Sequence, residues 1–413
     1  MSSYDVSALR SQFPILATEV HGEPLVYLDN AATSQKPRVV LETSRNYYEQ
    51  LNSNIHRGTH YLAQQATAAC EKSRDVVGQH LNAGAREEIV FTSGTTDSIN
   101  LVSSILGYSG TIGPGDIILI SNLEHHSNTV PWQMLCERSG ATLEVIPVTE
   151  EGAIDLVAFH RLLDDHQGTL KLVALTHISN AFGTMLPVES MIKEAHRAGA
   201  LVLIDGAQAV PHLPVDVQKL DADFYVFSGH KVYAPTGIGV LYGKRALLDS
   251  LPPWRGGGEM IQKVSYDGTT YNDLPYKYEA GTPNIEGAIA LAAALEFLND
   301  LGPEALLEHE QVLIRQAASA LSSVDGLMLY GPEDRSGALS FNIEGIHHYD
   351  LGTLLDKMGI AIRTGHHCCQ PLMSRFGITG TLRASFACFN DTSDVQRLVE
   401  AVEKGSSMLR QPP

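Results

Sequence analysis

The sequence predicts an α/β chain built on a mostly parallel sheet, and three observations carry that reading. Short, continuously apolar, β-branched runs recur along the first half of the chain. Helix-like segments separate them. Polar, chemically capable residues sit just past the C-terminal ends of several runs. Strands buried on both faces of a parallel sheet read as unbroken apolar runs, not as alternating ones.

In chain order the runs are EIVFT (88–92), DIILIS (116–121), KLVALTHIS (171–179), ALVLID (200–205) and DFYVFSG (223–229). Residues 97–106, 130–138 and 187–197 read as the helices between them. That alternation implies a sheet covered on both faces. The character changes after the glycine-rich stretch 254–283. Helices over 285–298 and 304–321 lead into shorter strands, LMLYG, ALSFNI, AIRTG and LRASFACF. A closing helix over 393–409 follows Thr392 as its N-cap. The expected division is an N-terminal segment, 1–25, beside a smaller C-terminal α/β domain, 290–413, with a large domain over 26–289.

Composition excludes several classes. With 29 Lys+Arg against 47 Asp+Glu, the net charge is −18, and 44% of residues are hydrophobic. A disordered chain would have few large apolar residues. An acidic chain lacks the basic face that a sequence-independent nucleic-acid binder needs, and anionic membrane surfaces are disfavoured for the same reason. The most apolar stretch, GAIALAAAL (287–295), falls far short of the ~20 residues a bilayer requires. Asp5 and Arg10 stand where a secretory signal would be apolar, and five cysteines show no CxxC spacing. The expectation is a reduced, cytoplasmic protein.

Ser93-Gly94-Thr95-Thr96 follows the strand EIVF and opens a helix, Asp205 ends LVLI, Ser228 ends FYVF, and Asn180 follows the strand ending at Ile178. Ligands of open parallel sheets bind beyond the carboxyl ends of the strands, so these residues converge on one edge. SGTT at a helix start can hold a phosphate; taken alone it is also an ordinary threonine N-cap. GIGVLYGK has Ile238 where a Walker loop needs its first glycine and Arg245 where it needs Ser or Thr. It has Tyr242 where a dinucleotide fingerprint needs its third glycine, so ATP and NAD lose ground. Lys231 directly follows a buried strand in FSGHKVYAPTGIG, where desolvation would make it an amine nucleophile. Asp205, 26 residues earlier, could form a simple ion pair with it, or hold the ring nitrogen of pyridoxal phosphate protonated. In GHHCCQ, His366, His367, Cys368 and Cys369 are metal-ligand types. Adjacent residues on an extended segment face opposite ways, and no further Cys/His set has finger-like spacing, so no metal site is expected.

DGAQ (205–208) followed by FSGHK (227–231), with GTT (94–96), EHHSN (124–128), THISN (176–180) and AGTPN (280–284), resembles the class V group of pyridoxal phosphate (PLP) enzymes. RTGHHC (363–368) followed by LRAS (382–385) narrows the resemblance to group II, Suf-type cysteine desulfurases and their selenocysteine lyase relatives, over residues 26–409. The resemblance implies a type I PLP-dependent transferase fold, with a mostly parallel seven-stranded sheet in the large domain. It implies that Lys231 bonds the cofactor and then acts as the base, that Asp205 pairs with the ring nitrogen and Gln208 with the ring hydroxyl, and that His125 stacks on the ring. Thr95, Thr96, Ser228 and His230 would bind the phosphate, with Thr282 reaching in from the second subunit of a homodimer. Asn180 and Arg383 would clamp the substrate carboxylate, Arg363 would also meet substrate, and Cys368 would accept the sulfur.

The activity so implied converts L-cysteine to L-alanine and a persulfide on Cys368, supplying iron–sulfur cluster assembly; the alternative is release of selenide from L-selenocysteine. The short stretch between Cys368 and Arg383 implies a SufE-like acceptor protein that brings its own thiol. Two departures stand out. Cys369 occupies a position where the group usually has a small residue such as alanine, and Asp97 replaces a glutamate after GTT. Cys70, Cys136 and Cys388 sit in apolar contexts and read as small buried hydrophobes.

Overall fold

The computed structural model describes residues 5–410; residues 1–4 and 411–413, the outer ends of the expected N-terminal segment and closing domain, lie outside the described residues. Seven strands form the large sheet: Ile89–Thr92 (β1), Ile117–Ser121 (β2), Thr142–Ile146 (β3), Leu170–Thr176 (β4), Leu201–Asp205 (β5), Phe224–Ser228 (β6) and Gly239–Gly243 (β7). Their order is β1-β7-β6-β5-β4-β2-β3. β7 runs antiparallel to both its neighbours and the other six strands run one way.

The unbroken apolar runs arise because both faces are covered. Leu119, Val173, Ile204 and Phe227 pack in one cluster with Ala66, Val77, Leu291 and Leu295 of the helices Tyr61–His80 and Ile285–Asp300. Ile118, Leu172, Leu203 and Val226 pack in another with Ile99, Val102 and Leu135 of the helices Thr95–Tyr108 and Val130–Ser139. Each such side chain contributes roughly 1.5–3 kcal/mol by leaving water. That burial makes the sheet a rigid platform, and Thr92, Thr176, Asp205 and Ser228 all terminate strands at one edge of it.

A second sheet is antiparallel throughout: Leu327–Tyr330 (β8), Ala338–Ile343 (β9), Arg363–Gly365 (β10) and Thr381–Ser385 (β11), in the order β8-β9-β11-β10. Leu339, Phe341, Leu382 and Ala384 share a core with Leu313, Leu351, Leu398 and Val402 from the helices Pro303–Leu321, His348–Lys357 and Thr392–Arg410. Val26 and Leu28 join this core, and Val26–Tyr27 pairs with Ile360–Ala361. Residues 290–298 and Leu306 contribute to the core of the large sheet, and the smaller core takes over from Leu313. Near the N-terminus, Phe13 lies 4.7 Å from Phe389 between ring centroids and Arg10 Nη1 donates to Asp394 at 2.7 Å.

The structure corrects the sequence reading in detail. The run over 171–179 leaves the sheet at Thr176, AIRTG is split at Ile362, and LRASFACF is a strand only over Thr381–Ser385. β3 went unread because it is an edge strand, half-exposed and carrying Glu144. β7 lies in a segment weighed only as a phosphate loop, and its glycines hide its strand character. The hairpin of Ile261–Ser265 and Gly268–Tyr271 is almost wholly exposed, so it carries no burial pattern to read.

Candidate active site

A cavity of about 200 Å³ opens at the strand-end edge of the large sheet, where the smaller sheet leans over it. Every expected site residue except Thr282 lines it. Thr282 sits on an exposed loop outside it.

The floor comes from the large sheet. Lys231 ends the turn Gly229–Lys231 after β6, is half-buried, and its Nζ has no hydrogen-bond or ion-pair partner among the described residues. Desolvation pulls this amine down to about 8, against the opposing pull of Asp205. Asp205 is buried, and its Oδ1 accepts from Ala207 N at 3.0 Å. Burial pushes the carboxyl up, while Lys231 and that hydrogen bond hold it down. His125 Nδ1 accepts from Ser127 N at 3.1 Å. Burial, with Lys231 nearby, pulls the imidazole down to about 3, so the ring is neutral. Gln208 Nε2 donates to Ala31 O at 2.7 Å.

One end of the floor is a helix start. The helix Thr95–Tyr108 has Gly94 at its N-cap, with no side chain to satisfy the first-turn N–H groups. Gly94 has φ 153°, and a Cβ at Gly239 would lie 2.4 Å from Gly94 Cα, so β7 presses directly on this turn. Thr95 N donates to Ser228 Oγ at 2.8 Å, and the two hydroxyls also lie 2.8 Å apart. His230 is half-buried nearby, and burial beside Lys231 and Lys36 pulls it down to about 4.

The roof comes from the smaller sheet. Arg363 and Arg383 are paired in register across β10 and β11, so both guanidinium groups leave the same face. Arg383 is 1% exposed; Nη1 donates to Asn180 O at 2.7 Å, Nη2 to Asp29 Oδ1 at 3.0 Å, and Nε has no partner. Between the strands, His367 and Cys368 both take left-handed backbone, with φ 51° and 57°. Residues that carry a Cβ disfavour that region. The loop is held by His367 Nε2 against Thr381 Oγ1 at 2.8 Å, by Asn180 Nδ2 donating to His367 O at 2.7 Å, and by His126 N donating to Cys368 O at 2.8 Å. Cys368 is half-buried, with Arg363 Nη2 3.9 Å from its sulfur. Cys369 is buried, donates to Asn180 Oδ1 at 3.2 Å, and is pushed up to about 12 by burial.

These residues fit pyridoxal phosphate. An unpartnered amine faces a buried acid, an uncapped helix start with two hydroxyls offers a phosphate cup, and the orphaned Arg383 Nε awaits an anion. Among the described residues no group of three or more His, Cys, Asp or Glu is placed to hold a metal ion.

Sequence reasoning missed two acids, one half-buried and one buried. Asp29 pairs with Arg383 at 3.0 Å. Glu124, whose carboxyl burial raises to about 8, accepts from Ser121 Oγ at 2.5 Å, Asn128 Nδ2 at 2.6 Å and Thr176 N at 2.9 Å. Glu124 thus fixes the segment that delivers His125. Its only sequence signal was membership of EHHSN, and Asp29 had none beyond its place after an apolar strand-like pair.

The aminotransferase class-V family matches residues 26–398. A probable cysteine desulfurase of Vibrio cholerae is 50% identical over 405 residues, covering 98% of this chain and 99% of the relative. Two solved structures superpose closely. The Escherichia coli cysteine desulfurase CsdA, in an S-sulfonic acid form, has a TM-score of 0.90 at 43% identity, covering 98% of this chain and 99% of the other. The apo cysteine desulfurase of Thermococcus onnurineus has a TM-score of 0.91 at 39% identity, covering 96% and 97%.

Proposed function

The chain belongs to the aminotransferase class-V family, and from that premise we propose that the cavity is the active site of a PLP-dependent cysteine desulfurase. The enzyme takes sulfur from L-cysteine and leaves L-alanine. One observation carries the reading: an unpartnered lysine amine and a half-buried thiol, Lys231 and Cys368, face a single cavity that also holds Asp205 and Arg383.

Pyridoxal phosphate, when bound, supplies an aldehyde carbon that bonds the lysine and the substrate amine in turn, and a ring that takes up the electron pair left at Cα. Thr95, Thr96, Ser228 and His230 would hold its phosphate at the helix start, where the dipole favours an anion. Asp205 would keep a proton on the ring nitrogen, Gln208 would offer its remaining N–H to the ring hydroxyl, and neutral His125 would cover the ring face. Lys231 removes the Cα proton as a neutral amine, the form that its lowered pKa makes available. Arg383, Asn180 and Arg363 orient the substrate, with a guanidinium suited to both oxygens of a carboxylate. Cys368 Sγ, as a thiolate, attacks the substrate sulfur. The S–S bond forms as the C–S bond breaks and its electron pair stays with carbon, the sulfur stays on Cys368 as a persulfide, and L-alanine leaves once Cα and Cβ have each taken up a proton.

The group II assignment, the acceptor and the assembly belong to the same proposal. The helix Gln370–Arg375 and a tight turn occupy the chain between Cys368 and β11. So short a connection supports an acceptor of SufE-like kind that carries its own thiol to Cys368, for use in iron–sulfur cluster assembly. Tyr61 is 71% exposed, Val264 61%, and Tyr266 fully so, apolar surface that a second copy would cover while the partner subunit's Thr282 completes the phosphate site. Five free cysteines support a reducing, cytoplasmic setting. No helix among the described residues is long and apolar enough to cross a membrane.

The test is direct. The PLP-loaded protein should show a visible absorbance band that Lys231→Ala abolishes, and should release L-alanine in equal amount to sulfur trapped on Cys368. Alanine formed with Cys368 unmodified would overturn the reading.

A further inference from the structure

Cys369 is left idle by the reaction just described, yet it is the most enclosed side chain of the acceptor loop. It is fully buried and lies behind the cavity wall instead of lining it. Desolvation keeps its thiol protonated at neutral pH, so its S–H is there to donate. The acceptor is Asn180 Oδ1, 3.2 Å away. At the other end of the same amide, Asn180 Nδ2 donates to His367 O at 2.7 Å. A primary amide has one carbonyl oxygen and two N–H donors. The His367 carbonyl only accepts and so must meet the nitrogen, and the Cys369 S–H then satisfies the amide oxygen, so the two contacts together hold one orientation. One N–H then remains, and Asn180 lines the cavity together with Cys368 and Arg383. Turned over, the amide would set its oxygen against His367 O and offer the wrong end to an anion.

We infer that Cys369 is a positioning residue: its thiol reinforces the Asn180 amide in the orientation that the His367 carbonyl sets, so that an N–H, not an oxygen, meets the substrate carboxylate, favouring amino acids over simple amines. The inference rests on the reading that Asn180 and Arg383 hold that carboxylate. Where a small residue such as alanine stands in this position, only His367 O orients the amide.

The experiment compares two ligands that differ by a carboxylate alone, L-alanine and ethylamine. Their dissociation constants are measured by spectral titration of the PLP-loaded enzyme, with the thermal midpoint of each apo variant as a folding control. Cys369→Ala should weaken L-alanine about fivefold, the scale of one neutral hydrogen bond, and leave ethylamine unchanged. Cys369→Ser, which keeps a donor, should regain most of the loss. Equal weakening of both ligands, no weakening, or a serine variant no better than alanine would overturn the inference. Arg383→Lys separates the two layers. If it fails to discriminate between the ligands, the carboxylate reading falls and takes the inference with it. If it discriminates and Cys369→Ala does not, the inference alone falls.

Discussion

The floor and the roof of the cavity are built on opposite principles. Asp205 and Ser228 end strands of one doubly covered sheet, Thr95 opens a helix and Lys231 ends the turn after β6, so regular backbone fixes or directly precedes each of them. Cys368 and His367 sit on a loop in left-handed backbone, anchored to the floor by hydrogen bonds through Asn180 and His126. The difference follows from the two tasks. Groups that tune charge on a cofactor must not move as charge develops, and rigid elements serve that best. A thiol that receives sulfur and then surrenders it to a partner must stay reachable, and Cys368 is half-buried where Asp205 is 4% exposed.

The largest effects should split along this line. Lys231→Ala removes the base and the cofactor anchor together, so turnover should fall by about 10⁴-fold or more and the visible band should vanish. Cys368→Ala touches only the roof. Cysteine turnover should fall by roughly 10³-fold with the band unchanged, because the nucleophile is lost and the floor is intact. Selenium release from L-selenocysteine should suffer less, since selenium leaves carbon more readily. Comparing spectra and rates of both variants on both substrates checks the split; a bleached Cys368→Ala protein would contradict it.

The same contrast governs what the sequence disclosed. The floor was legible because one rule, apolar runs ending in polar residues, holds for Ser93–Thr96, Asp205 and Ser228 without any knowledge of distant partners. The roof was legible mainly through resemblance, as its geometry depends on contacts such as Asn180 with His367, 187 residues apart. Nothing local marks Glu124 as a buried hydrogen-bond hub or pairs Asp29 with Arg383 across 354 residues. The elements missed were those whose faces are not both buried, as in β3 and the 261–271 hairpin, or whose glycines suit two readings, as in β7.

Arg383 tests how firmly the roof grips substrate. Two of its five N–H donors are committed to Asn180 O and Asp29, and those that remain, the unpartnered Nε among them, are left for a carboxylate. Arg383→Lys keeps a charge and loses the fork, so KM for L-cysteine should rise by roughly 10- to 100-fold, the scale of a charge-assisted hydrogen bond. The visible band should persist, because Arg383 belongs to the roof. Steady-state kinetics beside a cofactor titration would read both; a change in cofactor affinity equal to that in KM would erase the distinction between the two walls.

The smallest effect concerns how dry the floor is. Only a neutral amine attacks an aldehyde, so the rate at which the apo chain captures pyridoxal phosphate follows the neutral fraction of Lys231. Burial lowers this amine from its ordinary 10.5 to about 8, so capture should rise with pH and level off above that value. Between pH 7 and 9 the expected gain is roughly tenfold, whereas a solvated lysine would gain about 100-fold and still be climbing. Asp205 is the main influence raising the amine's pKa, so Asp205→Asn should move the midpoint to lower pH, although burial remains. Stopped-flow capture rates across this range decide the matter. A midpoint near that of free lysine would mean that water reaches Nζ, and that the floor is held no more tightly than the loop above it.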